Sequence, residues 1–216
     1  MPRPRSTHRA LSYAAARDYE GLLVDGAGVP LAEEDSGSVE LLDGTSVTYR
    51  AIAPDNAAAL QRFHHRLSQR SISLRFFGAK PELSDRKAGY FTNVDGINRC
   101  ALVALDPERP EEIIAVVSFD REEDTDRAEY AAAVEYRWQG KGLGLALTRC
   151  LIEAALKRGV RIFTGVVLPE NARMLNLLRD LRLPERLRYG GGVEYVEIDL
   201  SEKAPDHAAG ASGPVG

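Results

Sequence analysis

Gln139-Gly140-Lys141-Gly142-Leu143-Gly144 stands between a strand-like run, Ala128 to Tyr136, and a helix-like run, Leu143 to Lys157. A glycine-rich turn that opens a helix is an anion site. The first N–H groups of the helix lack intrahelical acceptors, and its dipole puts partial positive charge there. Three glycines let a phosphate approach the backbone without Cβ clashes. Two familiar phosphate loops fail on spacing. A Walker loop needs Ser or Thr after its lysine, and Lys141 is followed by Gly142. The dinucleotide fingerprint counted from Gly140 needs glycine where Leu145 stands. What remains is Q-x-x-G-x-G behind a hydrophobic strand that ends near Val134.

Outward from this turn, the pattern is that of one mixed α/β domain. Ser46 to Ala51 alternates as a first strand, and Pro54-Asp55-Asn56 starts a helix with Leu60, Phe63, His64 and Leu67 on one side. Leu83 to Phe91 reads as a second helix with Ser84 as its N-cap. Cys100 to Leu105, Ile113 to Phe119 and Ala128 to Tyr136 read as strands, the last two joined by the charged connection Asp120 to Arg127. The helix after the glycine turn ends at Gly159. Val160 to Val167 reads as a strand buried on both faces. Pro169, Glu170 and Asn171 open a last helix carrying Met174, Leu177, Leu178 and Leu181, and Val193 to Leu200 closes as a strand. Hairpins come first and a βαβ unit follows. Residues 1–38 are expected to be a flexible extension with a short helix over Ala10 to Leu23, residues 39–200 the folded domain, and residues 201–216 a disordered tail.

Composition narrows the classes. The chain has 216 residues and a net charge of −4, with no basic stripe, so a nucleic-acid partner is not indicated. Cys100 and Cys150 fall in apolar runs and read as buried free thiols of a reducing compartment. No metal-ligand spacing is present. No apolar run approaches the ~20 residues of a membrane span. A soluble, cytoplasmic protein is the expectation.

The Q-x-x-G-x-G turn resembles motif A of the GNAT superfamily of N-acetyltransferases, and the resemblance extends over about Val39 to Leu200, strongest from Val134 to Asn171. It implies a mostly antiparallel twisted sheet, splayed between its fourth and fifth strands and flanked by helices. It implies acetyl-CoA as cosubstrate and no metal. Main-chain groups from Ala132 to Val134 would bind the pantetheine arm. Gln139, Gly140, Lys141, Gly142, Leu143, Gly144 and Leu145 would hold the pyrophosphate, and Asn171 matches the family asparagine that contacts the coenzyme. The run Leu67 to Phe77 and the signature Ala128-Glu129-Tyr130-Ala131 are similar to bacterial protein lysine acetyltransferases. Those imply an acetyl group moved to an amine, a protein lysine being the expected acceptor and a small amine the alternative. Larger relatives carry cyclic-nucleotide or acyl-CoA-synthetase modules, and residues 1–38 are too few for either.

Departures from the family pattern are equally specific. The position of the family's tyrosine acid is Leu178, and its Gly-Phe pair is Arg182-Leu183. These motivate a non-catalytic, acyl-CoA-sensing module as a further alternative. A lysine amine has an ordinary pKa of about 10.4, so transfer benefits from a base. The resemblance assigns that role to Glu129. Glu129 also reads as a solvated residue at a hairpin end, and Glu135 is a rival carboxylate on the same strand face. A strand N–H near Val134 is the candidate oxyanion donor. A thiol of pKa about 8.5 is a good enough leaving group to make the missing acid tolerable. Ala131 to Ala133 are small either to admit the acyl arm or to pack the helix. Glu122-Glu123-Asp124-Asp126 reads as a solvated turn, and His64, His65, Tyr136 and Trp138 are assigned no chemistry.

Overall fold

The computed structural model describes residues 35–68, 70, 71, 74 and 82–201. The expected Ala10 to Leu23 helix, the tail beyond residue 201 and most of the Ile72 to Phe77 run lie outside the described residues. Eight strands form one sheet: β1 (Gly37–Glu40), β2 (Ser46–Ala51), β3 (Arg99–Leu105), β4 (Ile113–Arg121), β5 (Arg127–Val134), β6 (Ile162–Val167), β7 (Glu185–Gly190) and β8 (Val193–Asp199), in the order β1-β2-β3-β4-β5-β6-β8-β7. Among the described residues, the helices α1 (Ala57–Arg66), α2 (Asp85–Thr92), α3 (Leu143–Lys157) and α4 (Ala172–Asp180) flank it. Neighbouring strands are antiparallel except β5 and β6. The architecture is therefore the expected mixed α/β sheet.

Both sheet faces are covered at the centre. Along β3, Cys100, Leu102 and Ala104 join the core under α3, where Leu143, Leu147 and Leu151 are buried. Ala101 and Val103 point the other way, into a second core with Leu60 and Phe63 of α1 and Ala88 of α2. Strand alternation divides one apolar run between two cores, which is why Arg99–Leu105 shows no polar face. α3 fits this place because its apolar residues recur at helical spacing, and it stops where Gly159 takes φ +79.

Several expectations need correcting. β1 begins at Gly37, within the stretch expected as extension, and pairs with β2 through the Asp43-Gly44 turn, with Gly44 at φ +81. The first helix opens with a 3-10 turn, Pro54–Asn56, and becomes α-helical at Ala57. β5 ends at Val134, not Tyr136, because Tyr136–Trp138 tighten into another 3-10 turn. β7 had no counterpart in the sequence reading. Its residues are exposed on both faces except Gly190, so no apolar alternation marks it, and it is held by the Gly191-Gly192 hairpin, both at positive φ. β6 is buried only in part: Ile162, Thr164, Gly165 and Val166 are partly exposed because the strand diverges from β5.

That divergence places the site. β4 and β5 pair over seven residues, whereas β5 and β6 pair only through Arg127–Glu129 against Ile162–Thr164. From Tyr130 onward the strands part, as expected for the fourth and fifth strands of a count that begins at Ser46. The Tyr130 ring stacks on Phe163 at this vertex, with centroids 5.4 Å apart and an 18° interplanar angle.

The core under α3 supports this opening, so its packing is measurable there. Leu147 has 0% exposure. Leu147→Ala is expected to cost about 2–5 kcal/mol in urea unfolding; a loss below about 1 kcal/mol would show that the helix does not carry the sheet.

Candidate functional site

The gap between β5 and β6 widens into a cavity of about 940 Å³. Its walls are the end of β5 (Ala132 to Val134), β6 from Thr164 to Val167, the glycine turn, and α4 with the residues before it. The volume lies within the range of small-molecule and cofactor sites.

One wall is made of backbone. Glu135 N–H donates to Ile114 O at 2.9 Å, which makes that pair a hydrogen-bonded one across β4 and β5. Alternation then turns the main-chain groups of Val134 and Ala132 away from β4, toward the gap. The Val134 carbonyl accepts from Gln139 Nε2 at 2.7 Å, and Arg173 Nη1 donates to Gln139 Oε1. Gln139 thus bridges the end of β5 and the first turn of α4.

The glycine turn supplies the second set of donors. Gly140 and Gly142 sit at φ +76 and +86, a region that L side chains enter at a cost of about 1–2 kcal/mol. Gly142 is the N-cap of α3, and Ala146 N–H bonds its carbonyl at 3.0 Å. The N–H groups of Leu143, Gly144 and Leu145 therefore precede the first intrahelical bond and find no acceptor within the helix. A Cβ on Gly144 would lie 3.0 Å from Leu177 Cδ1 and 3.4 Å from Val134 Cγ2, so glycine lets α4 and β5 close around the turn.

Of the residues predicted from sequence, the structure brings Ala132, Val134, Gln139, Gly140, Gly142, Leu143, Gly144, Leu145 and Asn171 to this cavity. Asn171 is also the N-cap of α4, its Oδ1 accepting from Met174 N at 3.2 Å. Lys141 is not in the wall. Its ammonium pairs with Asp43 at 3.0 Å and lies 5.1 Å from the Trp138 ring centroid. Hydrogen bonds from Thr45, and then from Lys141, hold the Asp43 carboxyl down to about 2. The β1–β2 hairpin tip meets the turn again through Leu42 N–H, which donates to Lys141 O at 3.1 Å.

Glu129 also stands apart from the cavity wall. It lies on the β5 face opposite Ala128 and Tyr130, at the last position that β6 still pairs, against Thr164. Glu135, the residue after β5, is a buried carboxylate, 5% exposed, and arginines take both its oxygens: Arg137 Nε at 2.6 Å and Arg66 Nε at 3.0 Å. That commitment removes it as a free base. Leu178, the position that the family resemblance gives to an acid, lies in the cavity wall. Tyr130 does not replace it. Thr148 Oγ1 donates its one proton to Gly144 O at 2.6 Å, so the 2.7 Å contact between Tyr130 and Thr148 has the phenol as donor. Among the described residues no cluster fit for a metal ion occurs.

Arg173 and Leu42 line the site without having been singled out from sequence. Arg173 had one signal, its place in the first turn after the Asn171 cap. Leu42 had none, because it reaches the turn only through the β1–β2 hairpin.

An ion-pair network anchors the approach to the turn. Arg66 binds Glu135 and, at 2.5 Å, Glu112; Arg137 binds Glu135 and, at 2.9 Å, Asp106. Burial pushes the Glu112 carboxyl up, but hydrogen bonds from Arg62 and Arg66 and their charges outweigh it and hold the group below its ordinary value. Burial likewise opposes, and the Glu108 N–H, Arg109 and Arg137 override, at Asp106. A lowered folded pKa gives stability that is present above the unfolded value, about 4, and lost as pH falls through the folded value. Urea midpoints measured from about pH 6 to about pH 3 are expected to fall less steeply for Glu112→Gln than for the wild type. Parallel curves would show that this carboxylate does not govern the acid limb.

The family model described as Acetyltransferase (GNAT) family matches residues 52–181. The GNAT domain of S. lividans PAT is 31% identical, with 78% of this chain and 98% of that one covered and a TM-score of 0.72. A cAMP-binding acyltransferase from Mycobacterium smegmatis is 24% identical with a TM-score of 0.56, and the match covers 79% of this chain and 49% of that one, so this chain spans about half its length. The structure of yncA from Salmonella typhimurium with its cofactor acetyl-CoA is 18% identical, with 76% of this chain and 99% of that one covered and a TM-score of 0.57. The last two similarities concern the fold.

Proposed function

The chain belongs to the acetyltransferase (GNAT) family, and from that membership we propose that it moves an acetyl group from acetyl-CoA to an amine, with a protein lysine as acceptor, by direct transfer in a ternary complex. The observation that carries this reading is the juxtaposition of a parted strand with a helix N-terminus: the β5 groups of Ala132 and Val134 and the amides of Leu143, Gly144 and Leu145 open on one cavity. The cavity fits an elongated ligand with an anionic end and an amide-bearing arm. The glycine-turn amides suit the diphosphate, and Ala132 and Val134 suit the pantetheine amides. Gln139 and Asn171 would fix the turn and α4 on either side.

The coenzyme supplies an acyl group activated as a thioester. The remaining chemistry falls to this chain. The amine must lose its proton, and Glu129, on the sheet face away from the diphosphate cradle, is the proposed base, directly or through a water. The Val134 N–H is the proposed donor to the developing oxyanion. The thiolate departs without a side-chain acid, since Leu178 and the committed proton of Tyr130 offer none. The 31% identity to the GNAT domain of S. lividans PAT supports the lysine acceptor, as does the resemblance of Ala128-Glu129-Tyr130-Ala131 to bacterial protein lysine acetyltransferases. In this reading the catalytic domain occupies about residues 37–200 and works in the cytoplasm; no described helix is long and apolar enough to cross a membrane.

Leu178 in the cavity wall favours a second reading, an acyl-CoA-sensing module without turnover. One assay separates the two. With saturating acetyl-CoA and a lysine peptide, the wild type is expected to release thiol, and Glu129→Gln to lose about 10²–10⁴-fold in turnover with coenzyme affinity unchanged. An unchanged rate removes Glu129 from the mechanism. Coenzyme binding without thiol release for any amine supports the sensing module. Labelled acetyl-CoA in lysate, read by site-resolved mass spectrometry, identifies the acceptor.

A further inference from the structure

Arg173 stands in the first turn of α4, lines the cavity and is exposed. Its Nη1 donates to Gln139 Oε1, and its guanidinium carbon lies 5.8 Å from the ring centroid of Tyr136, which also lines the cavity. These two contacts fix the position of the guanidinium. Leu177 gives the same orientation from the helix side. It lies one turn further along α4, on the same face as Arg173, and its Cδ1 is the atom that a Cβ on Gly144 would meet at 3.0 Å. One face of α4 therefore follows the glycine turn, with Leu177 against the first turn of α3 and Arg173 against Gln139, where the turn begins.

The charge of this guanidinium is not matched by the protein. An arginine carries several N–H donors in a planar fork and keeps its charge at any working pH. Here one donor goes to a neutral amide oxygen, and among the described residues no carboxylate pairs with the group. Nearby cations are committed differently: Lys141 to Asp43, and Arg137 to Glu135 and Asp106. The free amides of Leu143, Gly144 and Leu145 supply partial charges only, whereas a diphosphate carries full ones. An accessible guanidinium at the head of such an amide cradle suits a phosphate oxygen, which its fork can bind without releasing Gln139.

We infer that Arg173 is the cationic partner of the coenzyme's diphosphate and binds it from α4, while the amides of the glycine turn bind it from α3. The inference rests on the acetyl-CoA reading above and adds a charged residue from outside the glycine motif. Arg173 touches no reacting atom, so its contribution belongs to coenzyme affinity.

Calorimetry on the full chain tests this with coenzyme A and with dephospho-coenzyme A, which keeps the diphosphate and lacks the 3′-phosphate. Arg173→Gln is expected to weaken both about tenfold, the scale of one charge-assisted hydrogen bond. It is also expected to flatten the fall of affinity as salt is raised, because a screened charge contact has been removed. Arg173→Lys keeps the charge and loses the fork, so it is expected to restore the salt dependence and part of the affinity. The coenzyme-free proteins are expected to share one unfolding temperature.

Unchanged coenzyme A affinity in Arg173→Gln overturns the inference and leaves the acetyl-CoA reading standing. A loss confined to coenzyme A, with dephospho-coenzyme A unaffected, overturns the diphosphate assignment in favour of the 3′-phosphate. A loss equal in Arg173→Gln and Arg173→Lys, with the salt dependence of the wild type in both, marks the bridge to Gln139 as a structural prop and also overturns it. A wild type that binds neither coenzyme sinks the parent reading, and this inference with it.

Discussion

The parallel pairing of β5 with β6 stops after three residues, and the rest of the molecule answers to that interruption. A sheet interior normally satisfies every main-chain group, and leaving donors and acceptors unpaired inside a protein is costly. Parting two central strands therefore needs an agent that forces the separation and a ligand or solvent that accepts the freed groups. The forcing agent is packing. Tyr130 and Phe163 stack at the vertex, Tyr130 is tied to α3 through Thr148, and α4 leans on the glycine turn through Leu177. Closing the gap would break these contacts.

Electrostatics fix the approach to the turn as packing fixes the gap. Glu135 follows the last residue of β5, where the chain leaves the sheet and turns back toward α3. Burying a carboxylate alone would be prohibitive, so Arg66 and Arg137 bind its two oxygens. Arg66 comes from α1, and Arg137 continues to Asp106 beyond β3. Three chain segments therefore meet at one charge, and the geometry of Gln139 to Gly144 inherits their positions. Removing one partner leaves a buried charge unpaired, which is more damaging than the net worth of the pair.

The part of the site written contiguously was legible from sequence. Gly140, Gly142 and Gly144 announce a strand-to-helix turn with positive φ and close approach, and Asn171 announces a helix cap; local chemistry dictates both. Strands with an apolar face were legible too. β1 and β7 were not, because Gly37–Glu40 and Glu185–Gly190 carry almost no buried side chain and owe their pairing to the Asp43-Gly44 and Gly191-Gly192 turns. The three-glycine run Gly190-Gly191-Gly192 before Val193 was the available signal for β7. Contacts distant in sequence left no periodic trace: Arg66 to Glu135 spans 69 positions, and Arg173 to Gln139 spans 34. Glu129 and Glu135 share a strand face, as alternation requires, but only tertiary structure shows that the second is consumed by arginines.

The separation of Glu129 from the cavity wall is then a consequence of the parted sheet. A diphosphate cradle rich in N–H donors suits an anion and is a poor place for a carboxylate, because a base beside it would repel the ligand that the cradle attracts. Placing the proposed base, Glu129, on the opposite face, one residue before the strands part, would avoid the conflict. The thioester would reach the vertex from the α3 side and the amine would meet it from the other, where Glu129 and the acidic β4–β5 hairpin face a cationic side chain. The gap permits this meeting because no side chain has to cross a paired sheet. A thiolate needs little help to leave, whereas an ammonium cannot attack until it is deprotonated. In the proposed reaction an acid at Leu178 would therefore be more dispensable than the carboxylate of Glu129.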